Sequence, residues 1–575
     1  MRRLTQAGAF SAAASLAGFA ILATSFPPSQ LQQYAADVAK TIVELQQFRE
    51  SRSIQIQRKG NPARATLINL NPAINAWFLL KLTPKEGGSA LDYHLENGNP
   101  GARRILLDPA YPFGVVIAEG KDRFSCDLFT SNALDQSKAS PLVYAPLCGG
   151  RIYLRNTVTG HRTNIEAGTE FLREHVWGAE KIIALGHMFL GEANRETGTV
   201  GTGAAPHENS ADSPLPAAID PKYSGRTLLS ANLGIDLGRP EKAGLIAGAW
   251  YPASGNPGVY ASILEPNLID PAILQSYRAN VNALDGVEAS ALCYLVAFDL
   301  NRFQLGFAVG TNYPGVGWSH QVRTRTPALP GPDGIESVSP LIATGLIGPQ
   351  EAPKTVGAFA GGYKRWHGAF KYGDLAARNH GTHYGFIEKG VVFSKLQPGL
   401  ATVYALADGS VGMKTWLEAD NALLEKVKYA RQNGVPLIEF DETSRTGKPG
   451  ALVNRWGPGN WSGSEDAHLR TMRAGLALQR NGRKHFLIYA VFSDATPSAM
   501  ARVFQAYHCD YAMLLDMNAL EFTYLALYRR HGSQIFIDHI LKGMSYLEKK
   551  SAHGEIVPRF IGYADNRDFF YVMRR

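Results

Sequence analysis

Between residues 472 and 528 the alternation of apolar and polar positions organises the reading of the whole chain. Leu476 and Leu478, then Phe486, Ile488 and Ala490, suggest two strands. They are separated by Arg480-Asn481-Gly482-Arg483, and an Asn-Gly pair between such runs is a hairpin signal. Thr496 then offers a hydroxyl to cap a helix, and Pro497 at its first turn has no amide proton to leave unpaired. Met500, Val503, Phe504 and Tyr507 follow on one helical face. Residues 511–515 read as a short buried strand that delivers Asp516 at its end.

The same reading divides the rest of the chain. Residues 30–51 have a helical period through Leu31, Tyr34, Val38, Ile42 and Leu45, so residues 28–53 are expected to form a helix or stalk. From 54 to 195 short β-branched runs and turn dipeptides predict a mainly β accessory domain, with helical material between 170 and 192. Residues 196–228 are dense in Gly, Pro, Ser and Ala and read as a linker or long loop. Gly198, Gly201 and Gly203 in it lack the spacing of a dinucleotide fingerprint. A second domain spans 229–545. In it, 291–300 is a core strand, 303–309 its neighbour, and 355–363 a strand entering a Gly361-Gly362 turn. Lys389-Gly390 and Asp408-Gly409 turn two hairpins. Residues 416–432 carry Leu417, Leu424 and Val427 near one face of a helix that Gly434 would stop. Residues 447–463 read as a long surface loop, and Ile535, Ile537, Ile540 and Leu541 as an amphipathic helix. A packed terminal strand or clasp at 546–575 completes an α+β chain; its Asp565, Arg567 and Asp568 would rim a cleft only if it folds back.

Composition narrows the function. At 575 residues, more than one core is expected, and 45% apolar with 19% charged residues suits a folded globular protein. A net charge of +8 without a dense basic block or zinc-finger spacing argues against nucleic acid as a partner. Arg2 and Arg3 precede an uncharged run, residues 8–26, rich in Ala, Ser and Gly. It suits a signal peptide or membrane anchor (residues 1–27), with a buried N-terminal helix as the alternative. The expectation is an exported protein, periplasmic or membrane-anchored with its bulk outside the cytoplasm. Of four cysteines, Cys126 and Cys148 are near enough in sequence to pair in an oxidising compartment, whereas Cys293 and Cys509 read as buried thiols.

Asp516 is the leading candidate for chemistry, since a carboxylate there can act as acid, base or nucleophile, or merely cap the next element. Arg473 lies in an apolar strand, where a guanidinium needs an anion: a ligand phosphate or a structural carboxylate. Glu439, Asp441 and Glu442 would supply a second carboxylate, bind a divalent cation, or form a solvated loop. Arg378, His380 and His383 are candidates for substrate contact, metal binding by the two histidines at H-x-x-H spacing being the alternative, with His367 and Asp299 weaker ones. His187 and Glu192 lack the HExxH spacing, and no cofactor is called for with certainty.

The order of turns and strands from about 290 to 528 resembles the phosphodiester glycosidase domain. The residues carrying this are Ala360-Gly361-Gly362-Tyr363, Tyr384-Gly385-Phe386-Ile387-Glu388-Lys389-Gly390, Ala407-Asp408-Gly409, Arg473-Ala474-Gly475-Leu476 with Asn481-Gly482, and Leu515-Asp516-Met517-Asn518. Ala360 stands where that family has an asparagine, and Met517 and Asn518 where it has glycines. The resemblance implies a hydrolase of a sugar phosphodiester or glycosidic bond in envelope or extracellular glycans, with Asp516 and Arg473 in the catalytic site. The alternative is a non-catalytic glycan-binding or envelope-assembly protein that keeps the fold.

Overall fold

The computed structural model describes residues 42–164, 166–168, 196–200, 213–240, 244–311, 341–362, 385–396, 398–455, 470–532 and 534–575. The segment 8–26, most of the 30–51 stretch, His187, Glu192, His367, Arg378, His380 and His383 lie outside them. Of the expected N-terminal helix the described part is a 3-10 turn, Ile42–Leu45, and a strand begins at Glu50.

The α+β expectation is overturned. Strand occupies 46% of the structure and helix 13%, and the sheets are antiparallel. Two segments expected as helices account for much of the difference. Residues Glu418–Lys426 form a 3-10 stretch and Val427–Gln432 a strand. Gln534–Leu541 is likewise a strand, followed by a 3-10 turn. Ile535 and Ile537 are β-branched and two apart, a spacing that lines one face of a strand, and pairing with Leu525–His531 decides the matter.

The N-terminal strands form a six-stranded and a three-stranded sheet around a core of their own, including Phe78, Leu80, Leu95, Ile117 and Phe129. Cys126 and Cys148 are disulfide-bonded across 5.6 Å between Cα atoms, while Cys293 and Cys509 are free and buried. The Gly-rich stretch after residue 196 is tied down where it is described: Thr199–Val200 pairs with Thr227–Leu229, and Gln479 binds the Leu215 backbone.

The remainder packs its three largest sheets on one core. The largest has eight strands, and Cys293–Asp299, Lys484–Ala495, Thr471–Asn481 and Tyr511–Met517 are successive neighbours at its centre. The expected hairpin is present, but Asn481 pairs with Lys484, so the turn is Gly482-Arg483 with Gly482 at a φ of 58°. Thr496 caps the helix Pro497–Ala506, which lies close over Gly475: a Cβ there would meet Met500 and Phe504 at 2.9 Å.

Phe303–Ala308 is not the partner of Cys293–Asp299. It crosses to a six-stranded sheet, where it pairs with Phe569–Arg574. That last strand sits between Phe303–Ala308 and Thr355–Ala360. The two sheets meet through aromatic rings, Phe359 lying 4.7 Å from Tyr489 between centroids. A five-stranded sheet contains the Lys389-Gly390 hairpin, both of whose turn residues have positive φ.

Candidate functional site

Asp516 lies within the strand Tyr511–Met517, every residue of which is buried. Burial pushes its carboxyl up to about 7, further than the Arg567 guanidinium pulls it back. Arg567 donates from Nη1 to Asp516 Oδ2 at 2.6 Å, and the Met517 amide donates to Oδ1 at 2.9 Å. The C-terminal segment does fold back: Arg567 and Asp568 arrive immediately before the Phe569–Arg574 strand. Asp568 accepts from Arg431 Nε at 2.6 Å, and its own carboxyl is raised by burial more than Arg431 lowers it. The other oxygen, Oδ1, is buried without a hydrogen-bond partner among the described residues.

Glu166 joins the set from far upstream. Its Oε1 accepts from Arg567 Nε and Asn566 Nδ2, each at 3.1 Å. Two carboxyls, two guanidiniums and Glu166 thus meet where the two large sheets approach. The Gly361-Gly362 turn lies against them: a Cβ on Gly361 would come 3.1 Å from Asp568 Oδ2, and one on Gly362 2.4 Å from Arg431 Nη2. The glycines let the backbone approach this ion pair closely.

Arg473 is buried in the strand Thr471–Asn481, next to that of Asp516. It is register-paired with Met517, and successive residues of a strand face opposite sides, so Arg473 and Met517 share the face away from Asp516. Its Nε donates to the Ala495 carbonyl at 2.8 Å and Nη1 contacts Met517 Sδ at 3.1 Å. Ala360 is buried in the strand before the glycine turn, paired with Phe569.

Glu439 and Asp441 are at the other end of the same sheet. Antiparallel pairing sets Ile438 against Ala512, so Glu439 falls opposite Tyr511, about 16 Å along the strand from Asp516, and Asp441 about 23 Å from it at strand spacing. Glu439 accepts from Thr415 at 2.6 Å; Asp441 caps its own turn and lies 3.4 Å from Lys448. Glu442 is exposed. Asp299 holds the turn after its strand, through the Asn301 amide and Lys484. Among the described residues no group of three His, Cys, Asp or Glu is placed to hold a metal, and no helix is long and apolar enough to cross a membrane.

Arg431, Asp568 and Glu166 were not singled out by sequence reasoning as partners of Asp516. For Asp568 a signal existed, a run of charges directly before a strongly apolar aromatic strand. For Glu166, 350 residues from Asp516, there was none.

No family model matches the chain, and no curated protein does. Among solved structures it is similar to the zebrafish N-acetylglucosamine-1-phosphodiester alpha-N-acetylglucosaminidase catalytic domain, auto-inhibited by its pro-peptide. That match has 10% identity and a TM-score of 0.29, covering 56% of this chain and 85% of that one. A putative exported protein from Burkholderia pseudomallei matches at 10% identity and a TM-score of 0.17, covering 49% and 74%. Likenesses this loose carry no assignment, and the function has to be argued from the residues.

Proposed function

We propose that the chain is a hydrolase of a sugar phosphodiester or glycosidic bond, with Asp516 transferring the proton. The observation that carries this is a buried carboxyl raised to about 7, beside a second raised carboxyl and two guanidiniums. A carboxyl protonated near neutral pH is suited to protonating a leaving-group oxygen. Asp568 is the second carboxylate that glycosidic chemistry calls for. Arg431 and Arg567 are the fork-shaped donors for an anionic substrate group or for developing negative charge. The anion-holding role first given to Arg473 passes to them.

A second reading is favoured by one observation: Asp516 is only 2% exposed. In that reading the cluster is a structural ion network in a glycan-binding protein without turnover.

The test is turnover of a panel of sugar phosphodiesters and envelope glycans by wild type and Asp516→Asn, with folding checked by circular dichroism. The hydrolase reading expects a rate that falls above about pH 7 and a loss of two to four orders of magnitude in the variant. An activity untouched by Asp516→Asn removes this residue from the chemistry. Glycan binding without turnover across the panel selects the second reading. Export directed by residues 8–26 is part of the proposal; a reporter fused after residue 60 should be active outside the cytoplasm, and activity inside it refutes export.

A further inference from the structure

We infer a second ligand site, separate from Asp516, that takes a neutral sugar ring on the Glu439 carboxylate. A cleft of about 370 Å³ opens at the far end of the Tyr511–Met517 strand, between the eight-stranded sheet and the edge strand Val411–Thr415 of the five-stranded sheet. Its size suits one or two sugar rings, and its walls are mainly apolar with a few polar groups, the usual character of a small-molecule site. Tyr404, Phe440 and Tyr511 supply aromatic surface. The Tyr404 ring lies directly over Gly412, where a Cβ would come within 2.4 Å of it, so the wall is fixed by the absence of a side chain.

The hydrogen-bond inventory tells what the cleft lacks. Thr415 gives its single hydroxyl proton to Glu439 Oε1 at 2.6 Å, so at the 3.0 Å contact with Tyr511 the phenol must be the donor. Donors therefore run in one direction, Tyr511 to Thr415 to Glu439, and end on a carboxylate with acceptor sites to spare. The nearby cations are engaged: Arg480 gives Nε and Nη2 to Asp510 at 2.9 and 3.3 Å, and Lys414 binds Asp420 at 2.7 Å. What is offered to a ligand is an acceptor rather than a free cation, so an anion is disfavoured. Lys414, Arg480, Glu439 and Asp510 balance one another across the lining, so there is no net field to attract a cation either. A neutral ring with an apolar face and several hydroxyl donors meets these conditions, and a carboxylate accepting from sugar hydroxyls is established chemistry.

This inference does not depend on the hydrolase reading, because binding is measured without turnover. The full chain is titrated with glucose, galactose, mannose and N-acetylglucosamine, each to about 10 mM, by saturation-transfer NMR and calorimetry, with ethanolamine as a small cation. At least one sugar is expected to bind near about 1 mM, and Glu439→Gln to weaken it tenfold or more. Tyr511→Phe, which removes the first donor of the relay, is expected to weaken it several-fold, and Asp516→Asn to leave it unchanged. The inference is overturned if none of the four sugars binds, or if Glu439→Gln and Tyr511→Phe, both shown to be folded, bind as wild type does. Preference for ethanolamine, or loss of sugar binding in Asp516→Asn instead, overturns it equally.

Discussion

Lys389 and Asp516 are both wholly buried ionisable groups in β structure, and their surroundings resolve them in opposite senses. Lys389, at its hairpin turn, is thrust into the N-terminal sheets. Its ammonium binds Glu96 of one region and, at 2.7 Å, Glu351 of the other. Burial pulls the ammonium down, but Glu351 and Glu96 more than reverse this and hold it well above its ordinary value. Asn71 donates to the Gly390 carbonyl at 3.1 Å, and Ile74 packs so closely that a Cβ on Gly390 would come within 2.4 Å of it. Around Asp516 burial wins instead, even with Arg567 at 2.6 Å, and the carboxyl keeps its proton to about pH 7. A charge outnumbered by opposite charges becomes a clamp. A carboxyl whose partner is shared with Glu166 and whose neighbour is a second carboxyl is held above its ordinary value.

If that contrast is right, the largest effect on stability belongs to Lys389. Lys389→Met leaves Glu351 buried without its ammonium and Glu96 with Arg155 alone, at 3.6 Å, and urea unfolding should show a loss of about 3–5 kcal/mol. A loss under about 1 kcal/mol would show that the carboxylates find other partners and that the clamp is dispensable.

Asp516→Asn should behave in the opposite way. A carboxyl raised in the folded state contributes its stability fully below its unfolded value, near 3.8, and loses it as pH rises through about 7. Below about pH 4 the acid is neutral in the folded and the unfolded chain alike, so the amide should change stability little there. At pH 8 the variant should be the more stable, by at most about 4 kcal/mol. Glu388, on the same turn as Lys389 and also pushed to about 7 by burial, adds a slope of the same sign. The two contributions separate when denaturation is followed against pH in Asp516→Asn and Glu388→Gln.

The disulfide tests how far the clamp carries strain between regions. Replacing Cys126 and Cys148 by serine should cost the N-terminal sheets about 3 kcal/mol. Together with Lys389→Met the losses should add, within error, unless the clamp transmits the loosening. Alkylation of unreduced, denatured protein should modify two thiols, Cys293 and Cys509, and four would deny the bond.

The smallest effect is a shift in titration. Of the two cations that lower the Asp516 carboxyl, Arg567 and Arg431, Arg567 acts the more strongly, so Arg567→Gln should raise it and move the fall in rate to higher pH by roughly one unit, about 1.4 kcal/mol. A limb that stays in place would mean that another group sets it.

What was legible in the chain followed from distance along it. The helix Pro497–Ala506 carries its own cap, proline and apolar face, and the hairpin at Asn481-Gly482 carries its own turn, so both could be read locally. Residues 427–432 and 534–541 were misassigned because their strand character depends on neighbours elsewhere in the chain. Asp516 was visible as a carboxylate closing an apolar run. Its setting was not, since Arg431, Arg567 and Glu166 are brought to it only by the assembled sheets. Arg473 shows the converse: proximity in a motif did not reveal which face of the strand it occupies.

The position of Phe569–Arg574 bears on how the molecule is made. It fills the gap between Phe303–Ala308 and Thr355–Ala360, elements translated more than two hundred residues before it. During synthesis those two edges stay unpaired until it emerges, and open edges invite aggregation. Closing contacts over so long a span is slow. The step that inserts this strand also delivers Arg567 and Asp568, so the charged cluster around Asp516 comes into existence only as the sheet is completed.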